Sequence, residues 1–263
     1  MTKARELSDY TGLQGDLALK SPVASPVFTG NVGVGVIPEA THSSADVLQV
    51  GGTALIANWE DAETYVGENV YISTAGTYKY LTTSHASLYN QNSGKHVFQI
   101  APSGTADSAI SWTTAMTIDN AGRVTMPNQP YFVAEMNGNA TYVSMSAGSA
   151  FPFNSTGRNV GSHFNTSNYR FTAPVNGNYS FSVGVITNSS APNGRLQFYV
   201  NNTTEHLNTK MGISGGSTAG GGATNTSAII YLSANDFVDV RSQSGTAIGY
   251  QQDHSFFTGI LLS

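Results

Sequence analysis

The sequence predicts an all-β protein, and three observations carry the prediction. Charged residues make up only 10% of the 263 residues, where an ordinary globular chain has about 25%. Helix-rich proteins set Glu and Lys on their wet faces, and this chain has few of either to set. Apolar residues fall in short runs of period two, broken by clusters of Gly, Asn and Ser. Aromatic residues, 13 Tyr and 12 Phe, favour strands and separate the chain from disordered sequences, which lack them.

The same composition narrows function. Eleven basic against sixteen acidic residues leave a net charge of −5. A general nucleic-acid binder needs a cationic surface to displace condensed counterions, so no nucleic-acid partner is expected. The absence of cysteine excludes disulfides, thiolate metal sites and a cysteine nucleophile. No run of about 18 apolar residues exists, so no membrane insertion is expected. The start lacks the apolar stretch of a secretory signal.

Taken in order, the chain divides into residues 1–30, 31–128 and 129–263. In the first segment Leu7, Tyr10, Leu13 and Leu17 stand three and four apart. That spacing reads as a short helical stripe, and a flexible terminus is the alternative. Pro22 and Pro26 then favour extended chain. In the second segment Val32, Val34 and Val36 alternate with glycine. Asp46–Val50, Tyr65–Tyr71, Tyr78–Leu81 and His96–Ile100 read as further strands. Ala115–Met126 reads as a hairpin turning at Asp119-Asn120-Ala121-Gly122. Few of these strands exceed about five residues and they bury little apolar area. Intertwining with identical chains is therefore expected more than a self-sufficient domain.

Pro127-Asn128-Gln129-Pro130 is the best boundary in the chain. Beyond it the alternation becomes regular. Tyr169, Phe171 and Ala173 lie two apart, as do Tyr179, Phe181, Val183 and Val185. Leu196, Phe198 and Val200 follow, and Phe257, Gly259 and Leu261 close the chain. Turn clusters separate these runs at sandwich or barrel spacing. In the last strand Ile260 and Leu262 alternate with Phe257, Gly259 and Leu261, so both of its faces require burial.

Four pieces of this third segment, in order, resemble the globular head of complement component 1 subcomponent q, of the tumour necrosis factor-like family. They are Asn159-Val160-Gly161 with Phe164-Asn165, the run Phe171 to Phe181, Ile229 to Val238, and Phe256 to Leu262. The resemblance implies a jelly-roll β-sandwich over roughly residues 130–263 that forms a homotrimer. Phe171, Tyr179, Phe181 and Phe257 would enter its core, with Pro174 and Gly177 at the turn and Gly259 in the last strand. Two positions depart from the family pattern. Tyr169 and Asn235 stand where Gly is common, and Asn tolerates the positive φ of a tight turn.

Leu17 to Gly30 and Met116 to Val124 resemble segments recurrent in bacteriophage tail fibres. That resemblance implies a virion tail protein built as an intertwined homotrimer. Its N-terminal segment would attach to other tail proteins and lead to a β-rich shaft and a C-terminal head. The head would bind a host-surface glycan or lipopolysaccharide through loops. Asn201, Asn202, Ser214, Ser217, Thr218, Asn225, Gln243 and Thr246 are the loop candidates. A purely structural trimerising head and a polysaccharide depolymerase are the rival readings.

Hydrolysis would need two carboxylates across a cleft. Asp236, Asp239, Asp253 and Glu135 are the head's candidates, with Asp236 expected in a turn and Asp239 on an exposed strand phase. Asp253-His254-Ser255 cannot converge as a triad from one strand. Glu60-Asp61-Ala62-Glu63 reads as a solvated turn, with a cation site as the alternative. The glycine-rich 212–223 stretch lacks the Lys-Ser/Thr that follows a phosphate loop. The expectation is a non-enzymatic protein with no catalytic residues, no cofactor and no metal.

Overall fold

The computed structural model describes residues 28, 30–59, 63–137, 143–146, 148–187, 195–203, 211–212, 222–242, 247–249 and 254–263. Among these residues there are strands and one 3-10 turn, Val160–Ser162, and no α-helix. The chain forms two compact units, Met1–Pro127 and Asn128–Ser263.

The first unit contains β1 (Val32–Val34), β2 (Ala45–Val50), β3 (Ala54–Trp59), β4 (Glu63–Glu68), β5 (Tyr71–Ile72), β6 (Tyr78–Lys79), β7 (Ser84–Asn92), β8 (Lys95–Gly104), β9 (Thr113–Ile118) and β10 (Val124–Thr125). Eight of them make one sheet in the order β1-β2-β3-β4-β7-β8-β9-β10, while β5 and β6 pair separately. Among the described residues of this unit only β1 and β2 pair in parallel. Period two decides which face is covered. Val47, Leu55, Ala57, Tyr65 and Leu88 are buried together with Val70 and Ile72, and Trp59, Tyr78 and Trp112 pack at the margin. Tyr78 meets Trp59 and Trp112 edge-on at 5.5 and 6.0 Å.

The expectation that few of these strands exceed about five residues is corrected here. β7 and β8 run nine and ten residues and pair with each other within one chain. Asn69 secures the break after β4. It is buried, has φ +57°, and its amide donates to the Thr82 and His85 carbonyls at 3.1 and 2.8 Å. Its oxygen accepts from the Thr82 amide at 2.7 Å.

The β9–β10 hairpin turns where the sequence placed the turn. Gly122 takes φ +77°. The Asp119 carboxylate accepts from the Ala121 and Arg123 amides at 2.9 and 3.0 Å and from Arg123 Nε at 2.7 Å. The Arg123 amide, then its guanidinium, hold the Asp119 carboxyl below its usual range.

The second unit contains β11 (Tyr131–Glu135), β12 (Val143–Met145), β13 (Ser155–Asn159), β14 (Phe164–Asn165), β15 (Arg170–Thr172), β16 (Gly177–Thr187), β17 (Arg195–Val200), β18 (Met211–Gly212), β19 (Gly222–Leu232), β20 (Phe237–Ser242), β21 (Ala247–Gly249) and β22 (Phe256–Leu261). One sheet runs β12-β21-β16-β22-β11-β13, with β19 also on β16. The other runs β14-β15-β20-β17-β18. The two sheets enclose one core, a jelly-roll sandwich.

Phe171, Tyr179, Phe181 and Phe257 are buried in that core, as the motif implied. Phe132 stacks on Phe164 at 4.7 Å and on Phe171 at 5.1 Å, and meets Phe257 edge-on at 4.9 Å. Gly259 is required by this packing. A Cβ there would lie 2.5 Å from Phe132 Cε1 and 2.7 Å from the Phe181 ring. Pro174 sits in the bend before β16, and Gly177 opens the strand against the Leu261 side chain and the Ser263 backbone.

Tyr169 departs from its expected place in a strand with Phe171. It closes the preceding turn with φ +62°, its amide donating to the Asn165 carbonyl at 2.8 Å, and β15 begins only at Arg170. Asn235 takes φ +73° in the turn before β20.

Candidate functional site

The loop candidates separate on inspection. Ser214, Ser217, Thr218, Gln243 and Thr246 lie outside the described residues. Asn225 is exposed on strand β19, opposite Gly184 of β16. Asn201 and Asn202 form the turn after β17, with φ +50° and +63°. Their side chains are engaged within the protein. Asn201 donates to Asp236 at 2.7 Å and accepts from the Phe237 amide at 3.0 Å, which ties the turn to the start of β20. Asn202 Oδ1 accepts from Arg170 Nη2 at 2.9 Å and from Arg241 Nη2.

Behind this turn lies a charge network that sequence reasoning missed. Asp239 stands on the outward phase of β20, as expected, but it is fully buried, not exposed. Arg241 donates to it from Nε at 2.6 Å and Nη2 at 2.7 Å, and Arg170 Nε donates at 3.2 Å. Phe237 lies under the Arg170 guanidinium at 4.1 Å and Tyr199 under that of Arg241 at 4.6 Å. The hydrogen bonds to Asp239 raise the Arg241 pKa further. The signal available in the sequence was the alternation Phe237, Asp239, Arg241 on one face of a strand whose other face is core.

The remaining acidic candidates sit in structural positions. Asp236 accepts from the Ser233 amide at 2.8 Å and from Asn201, closing the tight turn. Glu135 is half-buried on β11, and Asp253 lies outside the described residues. Ser255 is buried while His254 beside it is exposed. In the first unit Glu60 and Asp61 lie outside the described residues, and the Glu63 carboxylate accepts from Tyr65 and Asn92. Among the described residues no three His, Asp or Glu side chains gather as a metal site.

Among the described residues of the second unit, the most open apolar surface is the outer face of the sheet containing β16. Ile229 and Tyr231 on β19 are 67 and 59% exposed, and Phe256, Ile260 and Leu262 are exposed as well. The register sets Ile229, Ser180, Ile260 and Tyr131 in one row across four strands. Among the described side chains, β16 turns Asn178, Ser180, Ser182 and Gly184 outward, the last beneath the Phe256 ring. The central strand is therefore a shallow trough between larger side chains. Apolar groups of this size, exposed together, mark a surface that binds another surface.

The sequence of this unit matches a known family. The family model for the C1q domain matches residues 132–262, so the second unit carries a C1q-type domain. Among solved structures, the globular domain of zebrafish complement 1qA is 17% identical, with 51% of this chain and 98% of that chain covered and a TM-score of 0.41. Eiger TNF from S. frugiperda is 16% identical, with 51 and 94% covered and a TM-score of 0.39. Murine APRIL is 8% identical, with 51 and 99% covered and a TM-score of 0.36. Comparison with curated proteins finds no match.

Proposed function

We propose that this protein is a homotrimeric tail fibre or receptor-binding protein of a bacteriophage. Its N-terminal segment attaches to other tail proteins, and its C1q-type head contacts a host-surface glycan or lipopolysaccharide without catalysis. The observation that carries the trimer is the open face with Ile229, Tyr231, Ile260 and Leu262. Three copies meeting there would remove that surface from water, at about 25 cal/mol per Å2 of apolar area. Small residues along β16 let the copies approach closely.

The fibre reading is supported by the fibre-like segments Leu17 to Gly30 and Met116 to Val124 and by the order of the units, a β-rich unit followed by the C1q-type domain. Binding without catalysis is supported by the carboxylates of Asp236 and Asp239, which are taken up by the protein's own donors. Three identical shallow sites would supply avidity where one is weak. A gold label on the head, imaged on intact phage particles, tests the assignment. Label at the tail tip is expected, and unlabelled particles overturn it. Excess purified chain should compete with the phage for adsorption to its host, and undiminished adsorption would remove the head's binding role.

A further inference from the structure

The open face of the first unit's sheet carries one continuous apolar row. Val32 pairs with Leu48, Leu48 with Ile56, Ile56 with Val66, Val66 with Tyr89, Tyr89 with Phe98, and Phe98 with Met116. The row crosses seven strands, roughly 29 Å at the usual strand spacing of about 4.8 Å. It lies opposite the covered face that holds Val47, Leu55, Ala57, Tyr65 and Leu88. Ile56, Val66 and Phe98 are 48, 48 and 37% exposed. The Tyr89 ring stacks on Phe98 at 4.8 Å. At one end Val32, Leu48 and Ile56 line an open cavity of about 680 Å3.

The neighbouring rows differ from it. On one side stand Asp46, Asn58, Thr64, Gln91 and His96, with Ile118 at the end. On the other side Glu68, Ser87 and Thr113 interrupt Val34, Val50, Ala54 and Ile100. A second sheet packed flat on this face would need several adjacent apolar rows, because facing sheets bury alternate residues over their whole area. A narrow apolar ridge, with only one broken apolar row beside it, suits a line along which identical ridges meet. No charged side chain lies in the row, so bringing copies together places no like charges in contact.

Size decides the occupant. The row and its apolar flank hold six strongly exposed apolar side chains, Val34, Val50, Ile56, Val66, Phe98 and Ile100, where a free-standing complex uses about 20–30 residues a side. A contact that small persists between partners already tethered, because tethering raises their effective concentration to about millimolar. Copies of this chain, joined through their heads, are such partners. We propose that the row from Val32 to Met116 is a second self-association surface, where the first units of three copies of this chain meet. The proposal rests on the trimeric reading of the head.

The sequence contains no cysteine, so one introduced thiol reports on its own position. The experiment uses the full chain as Val66→Cys, with Ser103→Cys, exposed and outside the row, as the control. Each variant is oxidised mildly, run on a non-reducing gel and sedimented. A disulfide forms only where two Cα atoms come within about 7 Å. The expected result is a trimer in sedimentation and a covalent dimer from Val66→Cys at least tenfold above the control. Adding Ile56→Lys to Val66→Cys should lower that yield. A sedimenting trimer with Val66→Cys no better than the control overturns the row and leaves the head trimer standing. A monomer in sedimentation overturns both, and a cross-linked species that sediments as a dimer overturns the threefold arrangement.

Discussion

Replacing Asp239 with alanine should cost the head about 3 kcal/mol, and the structure fixes both the size and the order of the related losses. The Asp239 carboxylate is fully buried and accepts three arginine hydrogen bonds. Its removal strands two guanidinium groups. Breaking a buried pair typically costs about 3–5 kcal/mol. The lower end applies because the Arg241 and Arg170 side chains keep 14 and 31% of their surface in water. Arg241→Ala should cost about 2 kcal/mol, since it removes the two short bonds. Arg170→Ala should cost about 1 kcal/mol, since it removes one long, partly screened bond and a cation–π contact. A double-mutant cycle on Asp239 and Arg241 should give a coupling of about 1–3 kcal/mol.

The assay is guanidinium unfolding of the full chain followed by two probes. Both tryptophans, Trp59 and Trp112, lie in the first unit. Their fluorescence is the internal reference, while far-ultraviolet circular dichroism includes the head. Asp239→Ala should shift the dichroism transition attributable to the head and leave the tryptophan transition in place. A loss below about 0.5 kcal/mol, the ordinary range of surface substitutions, would refute the reasoning. So would Arg170→Ala costing more than Arg241→Ala.

Three further outcomes follow from the geometry. Tyr169→Gly should stabilise the head by about 0.5–1 kcal/mol, because a bulky residue is strained at φ +62° and glycine is not; thermal unfolding reads the gain, and a loss would count against it. Gly259→Ala should destabilise by about 1–3 kcal/mol, since the new methyl meets two buried rings, and the same unfolding curve measures it. Asp119, its pKa lowered by Arg123, supports the β9–β10 hairpin fully above its unfolded value near 3.9. That support is lost as pH falls through the lower folded value. Hydrogen exchange at the Ala121 and Arg123 amides should therefore quicken at strongly acid pH and in Asp119→Asn, and exchange unchanged in both would contradict the turn's mechanism.

The head was legible where one physical requirement dominates. Phe171, Tyr179, Phe181 and Phe257 alternate strictly because each strand has one face in a shared core, and period two transmits that directly into sequence. The Asp119 to Gly122 turn was legible because its amides require a carboxylate at the first position and a positive φ at the last. Strand β7 was not legible, since Ser84, His85, Ser87, Asn90 and Gln91 hide two buried apolar residues, Ala86 and Leu88. Its length comes from pairing with β4 and β8, a long-range cause. Tyr169 misled because its aromatic ring fits the alternation while its backbone is in a turn. Asp239 misled because strand phase gives the side of a sheet, not whether arginines from β15 and β20 will cover it. The apolar row of the first unit was hidden for a related reason. Val32, Leu48, Ile56, Val66, Tyr89, Phe98 and Met116 come from seven strands, and only the register brings them into line.

In the proposed function this chain works as a trimer whose surfaces are completed by its own copies. Sedimentation equilibrium of the purified full-length chain tests it most directly. One species at three times the 27.6 kDa chain mass is expected, with Tyr231→Lys in the exposed face of the head shifting it toward single chains. A stable, soluble species at the mass of one chain, unchanged at high concentration, would contradict it.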